Sequence, residues 1–553
     1  MFNKRITLIL MFIALVCISF QPVSASDNLK QLNVKVVSDL NQTVGKDLIS
    51  LVDTNRLEIG NTRIFDIIWS PDGNRMLIYA FVNAYPKEKF QLGGIDALYI
   101  ANADGSGVER VAWAESTSSS ERKRIKLPVW SQSGDYFAYV ERVAGSWHKL
   151  KAADLFVMSN DLNLIKKVEL DPDKARYFDS EFKWSFKWAP KENKIALATL
   201  ASEDIIIYDL DEKTNFTFNI PGDNVIITDM EWAPDGNKIV FIIKGDRLLT
   251  LELEKRKINP IYSAECLGMY DGKGSTYGKK LNGIWSADGK KLIFYDLKRL
   301  SENFDVYIKD EASKNPIKII TFNSGSSRVI QWYPDNERIL LRNYSNALYA
   351  LYSFSINGEM KKLIEKDNRY GLEGMVGPND YILATSLNPQ PKTPPYIRTY
   401  DLFLLKESKT LTIENVSDYR WKGTDLLYLK DQKISILNTS THDTWDIPLP
   451  SKNIDKFSLD PSGHFIVVDT IILGIQEQGS HTQQKIAGNY TNNSTADSST
   501  ENNSTFEEER IKKDMDEHSR GNSTKETFEL PGFSAIIALI GVLIAFVGIH
   551  IKK

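Results

Sequence analysis

The sequence predicts an all-β protein built from repeated units of short antiparallel strands. Strand-like apolar runs alternate with turns rich in Gly, Asp, Asn and Pro from about residue 30 to residue 475. A short phrase of the form Trp-Ser-Pro-Asp-Gly returns along the same stretch, and no long amphipathic helical pattern interrupts it. Aromatic residues make up 11% of the chain, a content that favours strands.

The repeated phrase predicts a series of hairpins. We expect its Trp to end a strand, its Pro to preset φ for the first turn position, its Asp to accept hydrogen bonds from the turn amides, and its Gly to adopt the left-handed conformation. An apolar run follows each copy and is expected to be a strand that is buried on both faces. The clear and looser copies begin at Trp69, Trp130, Trp188, Trp232, Trp285 and Trp332.

A third and a fourth strand complete each repeated unit. Four antiparallel strands, repeated every 44 to 61 residues, are typical of the blades of a β-propeller. Fainter copies of the turn follow, and the run 471–475 after the last copy either completes a ninth blade or closes the ring with the N-terminal run 32–37. We therefore expect eight blades, with nine as the alternative. The third strands are predicted at 96–101, 154–158, 204–208, 305–308 and 348–352, and the faint copies at 376–383, 419–428 and 459–468.

The repeat resembles that of a known class of propellers. Trp69-Ser-Pro-Asp-Gly73 followed by an apolar strand, and then Leu98-Tyr-Ile-Ala-Asn-Ala-Asp-Gly105, is similar to the TolB-type (WD40-like) β-propeller repeat. The resemblance covers about residues 60–470, and it is clear in the first six copies and faded in the last three. It implies the fold, and it implies that the repeated Trp, Asp and Gly serve packing and turns.

The N-terminus predicts export. Lys4 and Arg5 precede an apolar run from Ile6 to Phe20, and a small-residue cleavage site ends at Ala25. These are the parts of a secretory signal peptide, so we assign residues 1–25 to it and 26–476 to the propeller. The mature chain keeps one cysteine, Cys266, which excludes an intrachain disulfide.

The C-terminus predicts attachment to a membrane. An apolar run from Ser534 to Ile551 is long enough to span a bilayer, and two lysines follow it. Pro531, Gly532 and Phe533 stand before this run, and residues 529–553 resemble the PGF-CTERM sorting signal of archaeal surface proteins. The resemblance implies cleavage by an archaeosortase-type enzyme and attachment to a lipid. In either case we expect the protein to be tethered to the outer face of the cell.

A polar spacer joins the propeller to this signal. Residues 477–528 are rich in Asn, Ser and Thr and poor in apolar residues, so we expect a disordered stalk. The stalk is dense in Asn-x-Ser/Thr acceptors, which favours glycosylation in an exported protein. The acceptors in the whole chain are Asn41, Asn215, Asn343, Asn415, Asn438, Asn489, Asn492, Asn493, Asn502, Asn503 and Asn522.

The propeller sequence contains no recognisable catalytic, metal-binding or nucleic-acid-binding motif. The net charge is −4 and gives no sign of a nucleic-acid partner. Prolyl-oligopeptidase-type hydrolases need a Gly-x-Ser-x-Gly elbow and a second domain. The sequence contains no such elbow, and we expect no second domain because the polar segment begins soon after the last repeat. The histidines are scattered without metal-ligand spacing. We therefore expect no metal site and no cofactor, and we assign no catalytic residue.

Binding is expected in the long loops, because propellers bind through the loops at one end of the ring and at the channel mouth. Three loops stand out, at 84–94, 268–280 and 388–398. We expect the chain to bind or scaffold a protein or glycan of an archaeal envelope. The alternatives are a surface hydrolase or lyase at the channel mouth and a structural component of the envelope lattice. The candidate binding residues are Tyr85, Phe90, Tyr270, Tyr277, Tyr396 and Arg398.

Overall fold

The structure is a computed structural model of the chain, and it describes most of the predicted propeller. The predicted signal peptide, spacer, sorting signal and membrane span lie outside the described residues. No helix within the described part of the chain is long and apolar enough to cross a membrane. The described residues are 29–31, 33–87, 93–116, 121–145, 150–170, 184–199, 204–222, 225, 227–243, 247–263, 285–297, 304–322, 327–367, 371–389, 397–407, 409–449, 454 and 456–476.

Nine sheets follow one another along the described chain, and we number them as blades 1 to 9. Two N-terminal strands, β1 (Leu29–Gln31) and β2 (Asn33–Asp39), precede blade 1. Blades 1 to 4 each contain four consecutive antiparallel strands. These strands are β3 (Leu57–Trp69), β4 (Arg75–Pro86), β5 (Gly94–Asn102), β6 (Glu109–Glu115), β7 (Glu121–Trp130), β8 (Tyr136–Gly145), β9 (Leu150–Ser159), β10 (Leu164–Leu170), β11 (Trp184–Trp188), β12 (Lys194–Thr199), β13 (Asp204–Asp209), β14 (Thr214–Asn219), β15 (Ile227–Trp232), β16 (Lys238–Ile243), β17 (Arg247–Glu252) and β18 (Lys257–Ser263).

Blades 5 to 9 continue the pattern. Blade 5 has three strands, and Trp285 supplies the start of a fourth through a single bridge to Leu292. The strands are β19 (Lys291–Leu297), β20 (Phe304–Asp310), β21 (Ile317–Phe322), β22 (Arg328–Trp332), β23 (Arg338–Ser345), β24 (Leu348–Ser355), β25 (Met360–Lys366), β26 (Leu372–Val376), β27 (Ile382–Leu387), β28 (Tyr400–Lys406), β29 (Lys409–Val416), β30 (Asp418–Lys422), β31 (Asp425–Lys430), β32 (Lys433–Asn438), β33 (Thr444–Pro448), β34 (Phe457–Leu459), β35 (Phe465–Val468) and β36 (Ile471–Gln476).

The prediction of an all-β propeller of four-stranded antiparallel blades is confirmed, but the expected number of blades was wrong. The described chain forms nine blades rather than eight. The run 471–475 is the third strand of blade 9, and β2 pairs antiparallel with it as the fourth. The sequence left open whether this run completes a ninth blade or closes the ring with the N-terminal strand. Both hold, because the N-terminal strand β2 completes blade 9. β1 adds a fifth strand, parallel to β33, at the edge of blade 8.

The first strand of each blade is the inner one, and the ring is closed. First strands of neighbouring blades contact each other; for example, β3 contacts β7, and β11 contacts β15. Indole groups link the blades: Trp130 Nε1 donates to the carbonyl of Ile68 at 2.9 Å, and Trp232 Nε1 donates to the carbonyl of Lys187 at 3.0 Å. The same link joins blade 1 to blade 9, where Trp69 Nε1 donates to Ser458 Oγ at 2.8 Å.

The repeated turns have the predicted chemistry. Asp235 Oδ1 accepts a hydrogen bond from the Asn237 amide at 3.0 Å, and Gly236 has a φ of +82°. Asn336 replaces the glycine in the sixth copy and still adopts a φ of +58°, which asparagine tolerates better than most residues. The hydrogen bond from the Ser286 hydroxyl lowers the pKa of Asp288 in the fifth copy. The turn residues are thus committed to their own hairpins.

A short helical segment between blade 9 and blade 1 was not predicted. A π-helical turn (Asn41–Gly45) leads into α1 (Lys46–Ser50). Four apolar residues of this segment are buried together with strands of blade 1 and with Val467 and Ile472 of blade 9. We call residues 40–52 the wedge. Its signal in the sequence is an apolar residue at every fourth position: Leu40, Val44, Leu48 and Val52.

Candidate functional site

The strand directions divide the ring into two different ends. Because consecutive strands are antiparallel, the turns after the first and third strands lie at one end, which we call the turn end. The connections after the second and fourth strands lie at the other end, which we call the loop end. The described strands that flank the three predicted binding loops all meet those loops at the loop end: β4 and β5 flank 84–94, β18 precedes 268–280, and β27 and β28 flank 388–398. The strand ends next to the candidate loops therefore lie at one end of the ring.

Basic residues at the turn end bind groups of the following blade. Lys291 Nζ binds the carbonyl of Asn336 at 3.0 Å and Glu337 Oε1 at 2.6 Å, both in the next blade. The corresponding residues Arg75, Lys238 and Arg338 also reach the following blade, through Asn160, Glu311 and Asp380 respectively. The sequence contains a signal for this contact that we missed, since Lys or Arg stands six residues after Trp in five of the six clear copies. Tight turns and these cations occupy the turn end.

Among the described strands, those of blade 1 extend furthest at the loop end. The strands β3 and β4 have 13 and 12 residues, whereas β15 and β16 of blade 4 have 6 each. All of these hairpins share the turn end, so the additional residues of blade 1 extend the loop end. At about 3.3 Å per residue the extension amounts to about 20 Å. Blade 2 follows it with two strands of 10 residues, β7 and β8.

Tyr85, a predicted binding residue, lies near the tip of this extension. It is partly buried and stands opposite Glu58 in the register of β3 and β4. Its ring packs across Gly60, so closely that a Cβ on Gly60 would lie 2.8 Å from Tyr85 Cε2. The glycine therefore provides the space in which the Tyr85 ring lies against the inner strand.

Arg398 is the second predicted binding residue that the structure describes. It is exposed and lies beside the closed base of the loop between β27 and β28. The Asn388 amide donates to the Thr399 carbonyl at 2.9 Å, and Asn388 Nδ2 donates to Asp401 Oδ1 at 3.0 Å. These bonds anchor the point from which Arg398 projects. Arg398 belongs to blade 7 and Tyr85 to blade 1, so the two share an end of the ring but not one contact site.

The other predicted binding residues, Phe90, Tyr270, Tyr277 and Tyr396, lie outside the described residues. Pro531, Gly532 and Phe533 of the predicted sorting signal also lie outside them. Five predicted glycosylation acceptors are described. Asn215 and Asn415 are exposed on outer strands, and Asn41 is exposed on the wedge. Asn343 accepts a hydrogen bond from Ser327 Oγ, while Asn438 donates to Asp425 and accepts from the amides of its own turn.

An aromatic and ionic cluster lies between blades 1 and 2. Phe65, on the inner strand, has its ring centroid 5.7 Å from those of both Tyr79 and Phe81. The Arg124 guanidinium lies 5.1 Å from the Phe81 centroid, and its Nη1 is 2.8 Å from Asp96 Oδ1. Sequence reasoning missed this cluster because its members come from four strands. The Phe65 ring is 43% exposed, so the cluster presents an aromatic surface to solvent.

The buried carboxylate holds the cation of this cluster in place. The Asp96 side chain is fully buried, and burial raises its pKa, while the Arg124 guanidinium opposes this effect. Burial likewise raises the pKa of Tyr79, and the nearby Asp96 charge adds to it. The pair fixes the Arg124 head over the Phe81 ring, which stabilises the junction of the two blades. Within the described ranges, no group of three or more His, Cys, Asp or Glu side chains could hold a metal ion.

Comparisons with known proteins found similar chains among solved structures only. No family model and no curated protein matches the chain. Among solved structures, a eukaryotic initiation factor is similar at 11% identity over 74% of this chain and 90% of its own, with a TM-score of 0.43. The C-terminal WD40 domain of Sif2 has 12% identity over 76% and 99%, with a TM-score of 0.37. The β-propeller domain of the Trilobed protease from Pyrococcus furiosus has 16% identity over 66% and 98%, with a TM-score of 0.31.

Proposed function

We propose that this chain is an exported binding protein of an archaeal cell envelope, of the TolB-like propeller type, which recognises an envelope protein or glycan through its loop end. The observation that supports the proposal is that the described strands next to all three long candidate loops end at this one end. The turn end is occupied by short turns and by cations that bind the neighbouring blade. The loop end also carries the raised hairpin of blade 1 and the exposed Phe65. Surfaces of this kind provide the binding sites of rigid scaffolds.

The predicted termini support the cellular part of the proposal. A signal peptide over 1–25, a glycosylated spacer over 477–528 and a sorting signal over 529–553 would hold the ring outside the membrane. An archaeosortase-type enzyme is the expected processing partner, and the helix 534–551 or a lipid is the expected anchor. Mass spectrometry of the mature protein should find that the apolar tail is missing. An intact Lys553 would exclude processing.

The binding surface is tested with the isolated propeller, residues 26–476, since all strand pairs of the described chain lie within it. The immobilised fragment is expected to capture a specific component from envelope extract. Tyr85→Ala and Arg398→Ala change the loop end, and Lys290→Gln is the matched control at an exposed position of the turn end. We expect the first two variants to reduce capture and the control to retain it.

The opposite pattern, in which only the turn-end variant loses capture, would refute the assignment of the surface. Conversion of the captured component into a smaller product would favour the surface hydrolase or lyase instead. The envelope-lattice alternative predicts an abundant protein, so a minor share in envelope proteomics would exclude it.

A further inference from the structure

A cavity of about 460 Å³ lies at the loop end, beside the seam where blade 9 meets blade 1. Cavities that hold small molecules have volumes of about 300 to 1,000 Å³, so this one is large enough for a sugar ring. Asn41, Gly45 and Leu48 of the wedge line it, at intervals of four and three residues that place them on one side of the helical segment. Thr62 of β3 and Asp469 of blade 9 also line the cavity.

Asn41 begins the sequence Asn41-Gln-Thr43, an acceptor for N-linked glycans. The residue is exposed, and its side chain lies against Gly45, where a Cβ would overlap Asn41 Oδ1. The glycine therefore provides the space that the Asn41 side chain occupies beside the cavity. Asn41 Nδ2, the atom to which a glycan is attached, donates no hydrogen bond to another described residue. By contrast, Asn438 Nδ2 donates to Asp425 Oδ1 at 2.7 Å.

The rest of the wall offers hydrogen-bonding groups from both sides of the seam. Thr62 pairs with Val82, which packs against the wedge, so the Thr62 side chain lies on the face of blade 1 that borders the cavity. Lys456 of blade 9 also lines the cavity, and its Nζ crosses the seam to the Phe65 carbonyl at 3.1 Å. Asp469 is exposed in the turn between β35 and β36. A hydroxyl, an ammonium and a carboxylate are thus available to sugar hydroxyls.

The seam forms late, because it joins the two ends of the propeller sequence. Thr470 Oγ1 donates to Asp39 Oδ1 at 3.0 Å across 431 positions, and the Leu40 amide donates to the Thr470 carbonyl at 2.8 Å. A helical segment as short as the wedge is not stable by itself. At a synthesis rate of about 5 to 20 residues per second, it waits about 20 to 85 s for these partners. The acceptor sequence therefore stays unfolded and accessible to a glycan transferase during that time.

We propose that Asn41 carries an N-linked glycan whose first sugar occupies this cavity and joins the wedge to blades 1 and 9. In the modification, Asn41 Nδ2 forms a bond to the anomeric carbon of a glycosyl phosphate donor and loses one proton. The bond between that carbon and the phosphate oxygen breaks, and the phosphate leaves with the electron pair. Covalent attachment gives the sugar an effective concentration of the order of millimolar at the cavity, so weak hydrogen bonds suffice to hold it. The inference rests on the exported location in the proposed function.

The modification is tested by mass spectrometry of the full chain, purified from the envelope of its native host. Trypsin cleaves after Lys35 and Lys46 and releases the peptide 36–46, which contains Asn41 and no other acceptor. We expect most of this peptide to carry the additional mass of a glycan. The N-terminal residue of the same protein reports export independently, since the predicted signal peptide ends at Ala25.

The position of the sugar is tested by hydrogen exchange of β2 and β36, the strands that close the ring. Thr43→Ala removes the acceptor sequence and keeps Asn41, whereas Thr43→Ser keeps the acceptor and the hydroxyl that donates to the Leu40 carbonyl. We expect these strands to exchange about fivefold faster in Thr43→Ala than in Thr43→Ser, as for loss of about one hydrogen bond. In a host without N-glycosylation this ratio should fall, because only the hydroxyl then distinguishes the variants.

Two further variants separate the cavity from the acceptor. Thr62→Val removes a hydroxyl from the cavity wall at nearly constant volume, and it should accelerate exchange of β2 and β36 in the glycosylated protein only. Asn215→Gln is the matched control, because it removes an exposed acceptor on the outer strand of blade 3 and should leave this exchange unchanged.

The inference is overturned if the peptide 36–46 is mainly unmodified in a chain that begins at Ser26, or if the ratio of exchange rates is the same in both hosts. The proposed function survives either result, since export and capture from envelope extract are measured separately. A chain that retains Met1 and lacks the glycan would refute the exported location as well.

Discussion

Replacing Leu48 of the wedge by alanine should loosen the ring between blades 9 and 1. Leu48 is 1% exposed and belongs to the core cluster that joins the wedge to both blades. The change removes three carbon atoms, and at about 0.8 kcal/mol for each the lost burial amounts to about 2.4 kcal/mol. The cavity that remains adds to this loss, so we expect a total of about 3 kcal/mol, within the usual range for buried leucine.

Ile49→Ala is the matched control, because Ile49 neighbours Leu48 on α1 and is 39% exposed. Its expected cost is about 0.5 kcal/mol. Equilibrium unfolding in guanidinium measures the loss, and hydrogen exchange shows where the structure opens. In the Leu48 variant, the amides of β2, β35 and β4 should exchange faster, while those of blade 4, distant in the ring, should not. Equal losses for the two variants, or faster exchange throughout the ring, would refute the reasoning.

Three further predictions concern the blade contacts. Burial raises the pKa of Asp96 above its unfolded value of 3.8, so the native state takes up this proton at a higher pH than the unfolded state does. The stability of the protein relative to Asp96→Asn should therefore increase as the pH falls from above the folded pKa toward 3.8. Lys291→Gln should cost about 1 kcal/mol, because it breaks two contacts to blade 6, while Lys290→Gln should be nearly neutral. Deletion of residues 26–39 should expose Ile472 and Leu473, raise binding of a hydrophobic dye, and allow association between molecules through the open edge.

Each of these predictions has a distinct refutation. Parallel pH–stability curves for the unchanged protein and Asp96→Asn would show that the carboxyl group is not perturbed. Equal unfolding midpoints for the two lysine variants would remove the energetic role of the turn-end cations. A truncated chain that stays monomeric in sedimentation, with an unchanged unfolding midpoint, would show that β2 is not needed for closure.

The repeated turn made the blades predictable because its chemistry is local. The pattern from Trp232 to Gly236 contains the strand end, the amide acceptor and the residue with positive φ within five positions. The apolar runs that follow are buried as expected; Met76, Leu77 and Ile78 of β4 are fully buried. The number of blades was not predictable in this way, since the fourth strand of blade 9 lies at the other end of the propeller sequence.

The candidate site was predictable only in part. The long loops identified the loop end, and strand alternation alone places them together there. The aromatic and ionic cluster of Phe65, Tyr79, Phe81, Arg124 and Asp96 carries no motif, because its members lie on four different strands. The wedge had a signal in its four-residue spacing, but this segment is short, and its helix depends on packing against blades 1 and 9.

The sequence by itself determined the strand class, the hairpin turns and the four-stranded unit, because these follow from the alternation of apolar runs and from turn chemistry within a few residues. The tertiary structure decided that nine units close into a ring, that β2 completes the last blade, and that a cavity forms where the ends of the ring meet. Thr470 Oγ1 donates to Asp39 Oδ1 at 3.0 Å across 431 positions of sequence. Contacts of that range depend on how many twisted sheets complete a full turn, a geometric condition that no local pattern contains.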